Sequence, residues 1–522
     1  MTEHSTLEAG RGRLRFTRRR FLKVSAAGMA AALGQVAIDL TPQQAAALHA
    51  RRQAGTLRVA WGGAPVALDP LNASADTEIA FLNAVYDYLL DTNASAELVP
   101  RLATERTVSD DGLTYTLSIA EGVTFHDGSE LALDDILWTF ERLRGAGPTA
   151  NLFADVESVS AGEGRTVQFT LARPNPDFLY NLTDNHAVIL KANAEGIGDQ
   201  FNGTGPFRLE DYRPDRATFS ANPDYFGGAP SLQTLEFFYM DGPDAASSAL
   251  RGGQVDALLR MDNATFLSLS AAGGFATQEV ITSGHDLVRL RADRKPGNDE
   301  RVRQAFRMAT DRHDIFDRLQ LGYGAVGRDS PIAPYFARSY SEDTPLPDYD
   351  PEVARDLLAE AGYDDGLEMT MYVPDLPDRV ALALILASQW LKAGIRIKIE
   401  PQEEAVYYAD NGWLEVDLAI TPWGHRPTAQ TFLDLYLKSG AQWNESHFSD
   451  EEVDELIEIA GTTLDEAERT QAYDAIQRIM IERGPIIIPY FFAQFGVLAE
   501  HVSGVEVHPF AGRTRFHSAA IG

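Results

Sequence analysis

From residue 57 onward, short β-patterned runs alternate with amphipathic helical runs, and this alternation restricts the chain to mixed or parallel sheet covered by helices. The first run, Leu57-Arg58-Val59-Ala60-Trp61, reads as a buried strand that ends in Gly62-Gly63, where the backbone must turn tightly. Ile79, Leu82, Val85, Tyr86 and Leu89 recur at helical spacing and predict a helix over 78–90. Strands are expected at 114–119 and 166–171, on either side of a helix over 134–143. The middle of the chain repeats the alternation with a strand at 232–239, a helix at 243–251 and a short strand at 255–259. Beyond Asp299, Val302, Ala305, Phe306 and Ala309 share one helical face. Helices over 352–361 and 379–393, stopped by Gly362 and Gly394, alternate with strands at 368–373, 395–400 and 416–420. Two amphipathic helices, 450–460 and 465–482, and an apolar strand at 486–490 complete the pattern, which contains no repeat of fixed period.

At 522 residues the chain exceeds what one ordinary core accommodates. A hydrophobic content of 44% with 23% charged residues argues for globular structure rather than disorder, and no apolar run is long enough to span a bilayer. The net charge is −31, although the first fifty residues hold seven Lys/Arg against three Asp/Glu, so the body of the chain is more acidic still. That balance argues against nucleic acid and anionic lipid as partners. Cysteine is absent, which excludes disulfides, thiolate nucleophiles and Cys-ligated zinc or iron–sulfur sites, and with them a lipid-modified Cys anchor.

Residues 1–50 read as an address. Arg18-Arg19-Arg20-Phe21-Leu22-Lys23 precedes a mildly apolar, Ala- and Gly-rich run from 24 to 33, a pattern similar to a twin-arginine export signal; the alternative is a short basic amphipathic helix. Ala45-Ala46-Ala47 fits a small-residue cleavage site, with a cut near Ala50 as the alternative. The expectation is a freely diffusing periplasmic protein without a lipid anchor.

Enzyme motifs fail on context. Gly322-Tyr323-Gly324-Ala325-Val326-Gly327 fits GxGxxG but follows a helix and precedes a Pro-containing loop, so the dinucleotide setting is missing. Eleven histidines include no HxxxH or HExxH spacing, and no GxSxG elbow occurs. No metal, cofactor or catalytic residue is expected.

Several segments in order resemble the large extracellular solute-binding proteins of the peptide/nickel type, family 5. They begin with Val99-Pro100-Arg101-Leu102-Ala103, Ser109-Asp110-Asp111-Gly112 and Glu121-Gly122-Val123-Thr124-Phe125-His126-Asp127-Gly128. Gly203-Thr204-Gly205-Pro206-Phe207, Asn222-Pro223-Asp224-Tyr225-Phe226 and Gly253-Gln254-Val255-Asp256-Ala257 follow, then Arg301-Val302-Arg303-Gln304-Ala305 with Asp311-Arg312, and Tyr349-Asp350-Pro351 with Ala361-Gly362-Tyr363. Any one piece is weak; the colinear set is specific. The family has a Thr opening the helix after His126-Asp127-Gly128; Ala132-Leu133 stands here, so Asp134 is the expected cap.

The resemblance implies an α/β, two-lobed fold of the periplasmic-binding-protein type II kind, mixed sheets covered by helices, with an extra subdomain in the first lobe. The implied division is 51–78 with 206–285 and 490–522 as lobe I, 79–205 as the extra subdomain and 286–489 as lobe II, joined by two crossovers that act as a hinge. It implies a monomer that captures a small ligand, a short peptide or amino-acid conjugate, and delivers it to the permease subunits of an ABC importer, without catalysis. Nickel chelates, opines and oligosaccharides are the other ligands known in the family. The competing classes are an exported hydrolase or oxidoreductase and a signalling receptor subunit.

Candidate ligand-binding residues fall in three places. Trp423, Gly424, His425, Arg426 and Gln430 lie in a loop after a strand, where α/β sheets bind ligands. In relatives this loop often carries an Asp for a peptide's amino group; no Asp lies between Trp423 and Leu433 here, and Gln430 is the candidate for that position. Trp423 either stacks on the ligand or packs the lobe, and His425 with Arg426 either meets a ligand carboxylate or forms a surface pair. Trp443, Asn444 and Glu445 form the second place, with Glu445 able to supply negative charge or simply to belong to a helix-entry loop. Gly63 and Ala64 form the third, where small side chains let a ligand approach the backbone; Asp69-Pro70 nearby reads as a turn.

Overall fold

Ten strands carry the main path of one large sheet in the computed structural model, which describes residues 55–145 and 149–522. In chain order they are β1 (Thr56–Gly62), β2 (Phe207–Arg213), β3 (Arg216–Ala221), β4 (Thr234–Met240), β5 (Ala257–Leu258), β6 (Phe275–Leu290), β7 (Leu367–Pro374), β8 (Ile395–Gln402), β9 (Leu418–Trp423) and β10 (Tyr490–Ala499). Their order across the sheet is β8-β7-β9-β6-β10-β5-β1-β4-β3-β2. β1 lies inside it, parallel to both β4 and β5, and its five consecutive buried residues follow from being covered on both faces. The polar exception in that run, Arg58, is satisfied by Asp256 through two side-chain bonds of 2.8 and 2.7 Å, which tie the approach of β5 to β1.

Two long strands knit the halves of the sheet together. β6 is antiparallel to β10 along its first part and to β9 along its last part, with the pairing to β10 interrupted between Ile281 and His285. Sequence patterning missed both lengths. β6 begins as a half-exposed strand and ends fully buried, so no single period describes it, and the expected strand at 486–490 is instead a two-residue bridge at Ile486–Ile487 followed, beyond Pro489, by β10.

A separate four-stranded antiparallel sheet joins Ala103–Val108, Thr114–Ile119, Thr166–Leu171 and Val156–Ala161 in that order of neighbours, with the helix Leu133–Gly145 at its side. It shares one continuous hydrophobic core with β1, β3 and β4, including Phe81, Leu117, Phe169, Phe219 and Phe237. Two further cores fill the other half. One gathers Phe306, Met371, Leu386, Trp390 and Ile420; the other packs Phe432, Tyr436, Ile457, Tyr473 and Ile476. Each fully buried side chain of this kind stabilises the fold by about 1.5–3 kcal/mol.

Three local readings change. The helix expected over 78–90 is Asp76–Val85, because the backbone of Gly203 and Gly205 packs onto its end: a Cβ on Gly203 would stand 2.1 Å from the Val85 carbonyl oxygen, and Gly205 donates its N–H to that oxygen at 2.8 Å. Asp135, not Asp134, serves the start of helix Leu133–Gly145, accepting the Ala132 N–H at 2.8 Å and, through its other oxygen, the Ala192 N–H at 2.8 Å. Thr421, Pro422 and Trp423, expected in a loop, are the last residues of β9, in register with Leu287, Asp286 and His285 of β6. Four other helices begin where acidic caps stand, at Asp299, Asp350, Asp450 and Asp465.

Candidate ligand cleft

β9 leaves the sheet at Trp423, and the chain then passes through Gly424, His425 and Arg426 before Thr428 caps the short helix Ala429–Phe432. This segment lies against the interruption in β6. Ser283 clasps it from there: the hydroxyl accepts the Arg426 N–H at 2.9 Å, lies 2.9 Å from Arg426 O and also 2.9 Å from His425 Nδ1. Gly284 follows, and a side chain there would press on Phe492 of β10 and on the Trp423 and His425 backbone at 3.1–3.3 Å. Thr282 ties the same point to β10 through Phe492 O at 2.9 Å. Both long strands and the loop therefore meet at one knot.

The Ser283 N–H donates to His425 Nδ1 at 3.2 Å, which assigns the ring proton to Nε2. Burial, reinforced by His508 and Arg426, holds the imidazole well below its usual range, so His425 is a neutral ring with its Nε2–H as donor. Arg426 donates from Nη1 only to the carbonyl of His425, at 3.1 Å, and has no carboxylate within 4.0 Å among the described residues. Burial lowers its pKa, opposed by the charge of Asp184. Tyr335 stands edge-on to His425 with ring centroids 4.8 Å apart, and its buried hydroxyl has no partner. Tyr180, Asp91 and Arg513, all packed with the first half of the sheet, lie within electrostatic reach of that hydroxyl.

Other expected residues are committed to packing. The Trp423 indole is 6% exposed, sits 4.6 Å from the Tyr436 ring and 5.8 Å from Trp443, and donates to Glu445 at 3.3 Å. Its role as a stacking platform gives way to that of a core aromatic. Gln430 turns inward, donating to Asp434 and Ile457 O at 3.1 and 3.2 Å and accepting from Tyr473 at 3.3 Å. Asn444 donates to Lys438 O and Phe448 O and accepts from Ser446. Glu445 is neutralised by Arg289 at 3.1 Å and accepts the Thr421 hydroxyl at 2.6 Å, so it has no charge to offer a cation. Trp443 is half-buried against Trp423. Gly63 has a φ of +76°, donates its N–H to Met240 O at 3.0 Å and faces open space, with Ala64 beside it at the margin of the first core. No hydrogen bond or ion pair joins Gly63 or Ala64 to the His425–Arg426 loop among the described residues.

Sequence reasoning missed Ser283 and Tyr335. Neither sits in a motif; a Ser-Gly pair inside a β-rich run was the available sign of an interrupted strand. It also missed contacts between the four-stranded sheet region and the helices Glu451–Thr462 and Glu466–Arg483. Asp177 pairs with Arg469 at 2.9 Å, Arg173 with Glu458 at 3.2 Å, and Gly112 packs against Leu464.

The pattern of the bacterial extracellular solute-binding proteins, family 5 (middle), matches residues 97–444. The dipeptide-binding protein of Escherichia coli (strain K12) is 26% identical over 511 residues, covering 90% of this chain and 95% of that one. Di/tripeptide-binding protein 2 of Pseudomonas aeruginosa (strain UCBPP-PA14) is 28% identical over 520 residues, with 90% and 96% covered. Among solved structures, HbpA2 from Haemophilus parasuis superposes with a TM-score of 0.80 at 24% identity, covering 90% of this chain and 100% of that one.

Proposed function

Because the chain belongs to the family 5 bacterial extracellular solute-binding proteins, we propose that it captures a peptide-like solute between two lobes and presents it to the permease of an ABC importer. The division runs as 51–78 with 206–285 and 490–522 for lobe I, 79–205 for its extra subdomain and 286–489 for lobe II. β6 and β10 are the crossovers, and the separate cores on either side of them support that division.

The observation that carries the reading is the knot at Ser283, where both crossovers hold a loop whose His425 Nε2–H and Arg426 guanidinium have no acidic partner among the described residues. A ligand carboxylate satisfies both donors at once and, by touching the crossovers, couples occupancy to closure. Gly424, Trp443, Gly63 and Ala64 supply the remaining wall, small or flat surfaces against which a ligand backbone can lie. The ion pairs Asp177–Arg469 and Arg173–Glu458 close the rim.

The relatives are named for what they bind, not for a reaction, and no cluster of three or more His, Cys, Asp or Glu suited to a metal occurs among the described residues. No described helix is long and apolar enough to cross a membrane. The twin-arginine segment lies outside the described residues; it supports delivery to the periplasm in the folded state, and the absence of cysteine from the sequence supports an unanchored form. Lysines in place of Arg18 and Arg19 are expected to hold the protein in the cytoplasm, and normal export would defeat that route. The function itself is tested by native mass spectrometry of protein purified from its own host. A bound solute, released chemically unchanged, is expected; a transformed one would place the chain among enzymes.

A further inference from the structure

The charges buried in this protein are almost all spoken for. Each of the eight buried carboxylates among the described residues is engaged by an arginine or by backbone N–H groups. The two beside the candidate loop follow this rule: Glu445 is held by Arg289, and Asp286 by Arg379 at 2.9 Å and the Tyr490 hydroxyl at 2.6 Å. Asp184, the acid whose charge reaches Arg426, is taken by His186, whose Nδ1 lies 2.5 Å away and whose backbone N–H donates to the same carboxylate oxygen at 3.0 Å.

At the candidate loop the groups left over are donors. Arg426 spends one N–H on its own neighbour's carbonyl, His425 keeps Nε2–H free, and the Tyr335 hydroxyl, on a side chain 7% exposed, is buried without a partner. His425 and Arg426 are only partly buried, and unlike Arg303 and Arg307, which are more deeply buried and spend their N–H groups on several carbonyls, Arg426 has one carbonyl alone; an anion satisfies its charge and the two open donors together. An ammonium group beside Arg426 would add like charge, with no buried carboxylate left free among the described residues to offset it. Resting on the solute-binding reading, we infer that the cleft selects solutes that carry a carboxylate but no free ammonium group, such as N-acylated peptides, with Arg426, His425 Nε2–H and the Tyr335 hydroxyl as the donors.

Three matched pools test this on the purified protein by thermal shift and calorimetry: free dipeptides, the same dipeptides N-acetylated, and the N-acetylated set with amidated C-termini. The N-acetylated pool is expected to bind at least about tenfold more tightly than the free pool, and amidation to abolish binding, as loss of a charge-assisted contact requires. Free dipeptides binding as well as the acetylated ones would overturn the inference and leave the solute-binding reading standing; equal binding of the amidated pool would overturn the role of Arg426. Binding by no pool also overturns it, and if protein from the native host then carries no solute, the solute-binding reading falls too. Arg426→Asp is expected to reverse the order of the first two pools. Should circular dichroism show that variant misfolded, Arg426→Gln serves instead, with loss of the preference for acetylated ligands expected and its retention counting against the assignment.

Discussion

The Arg289 guanidinium and the Glu445 carboxylate meet at 3.1 Å with side chains 0% and 1% exposed, directly beneath the loop that carries His425 and Arg426. Burial holds Glu445 above the usual carboxylate range despite that cation, while Thr421 and Trp423 add hydrogen bonds to it. The pair joins β6, β9 and the 443–447 turn into one floor under the cleft.

Breaking this pair from one side should be costly, because the remaining charge is stranded in the interior. Glu445→Ala is expected to lower unfolding stability by about 3–5 kcal/mol, and Arg289→Met combined with Glu445→Leu to recover most of it. Urea denaturation of the single and double variants reads this. A single variant as stable as the parent would mean that the pair is solvated.

Trp423 belongs to the same floor, so its truncation should act on stability first. Trp423→Ala is expected to cost about 3–5 kcal/mol through the cavity left among Phe432, Tyr436 and Trp443. Calorimetry separates the roles. A variant of unchanged stability but lost ligand binding would restore the indole as a stacking platform.

Acid sensitivity should centre on Asp87, held by Arg101 and by Arg515 near the C-terminus at 2.9 and 3.1 Å. Asp87 is fully buried, and although burial raises its pKa, Arg101 and Arg515 overcome that and hold it at about 2. A carboxylate with a depressed folded pKa contributes stability above its unfolded value, and that contribution is lost as pH falls through the folded one. Stability is therefore expected to drop between about pH 4 and pH 2, and Asp87→Asn should flatten this limb while lowering stability at pH 7. Equilibrium unfolding across that range checks it; an unaltered acid limb in the variant would refute the assignment.

The end of helix Glu466–Arg483 is stabilised by cations rather than by a glycine in the left-handed conformation. Arg307 donates to the carbonyls of Glu482 and Gly484, and Arg303 to that of Arg483 at 3.0 Å. Substituting Arg307 by Met should cost about 1–3 kcal/mol, the value of charged bonds to buried carbonyls at a helix C-terminus. Hydrogen exchange in the last turn of that helix should accelerate with it, and protection equal to the parent's would argue against the capping role.

Closure should feel the rim. Arg173→Ala with Arg469→Ala is expected to weaken ligand affinity by several-fold, on the order of 1 kcal/mol, without altering which solute is preferred. Small-angle scattering of the ligand-free variant should show a larger radius of gyration. Identical scattering and affinity would remove these pairs from the closing motion.

Much of the fold was legible because it is written in local terms. β1 announced itself as an apolar run with a glycine exit, and the helices from Asp299, Asp450 and Asp465 began at acidic caps, since period and capping depend on neighbours in sequence. The family resemblance rested on the same local segments. What the sequence could not convey was which polar groups cancel each other. Gln430, Asn444 and Glu445 looked like binding residues until the fold set Tyr473, Lys438 and Arg289 against them, and Arg426 was left without a carboxylate among the described residues. Ser283 gained its role when β6, patterned by no single period, was interrupted beside β9 and β10. Pairing of Glu445 with Arg289, 156 residues away in the chain, is a property of packing in a low-dielectric interior, and tertiary structure alone decides it.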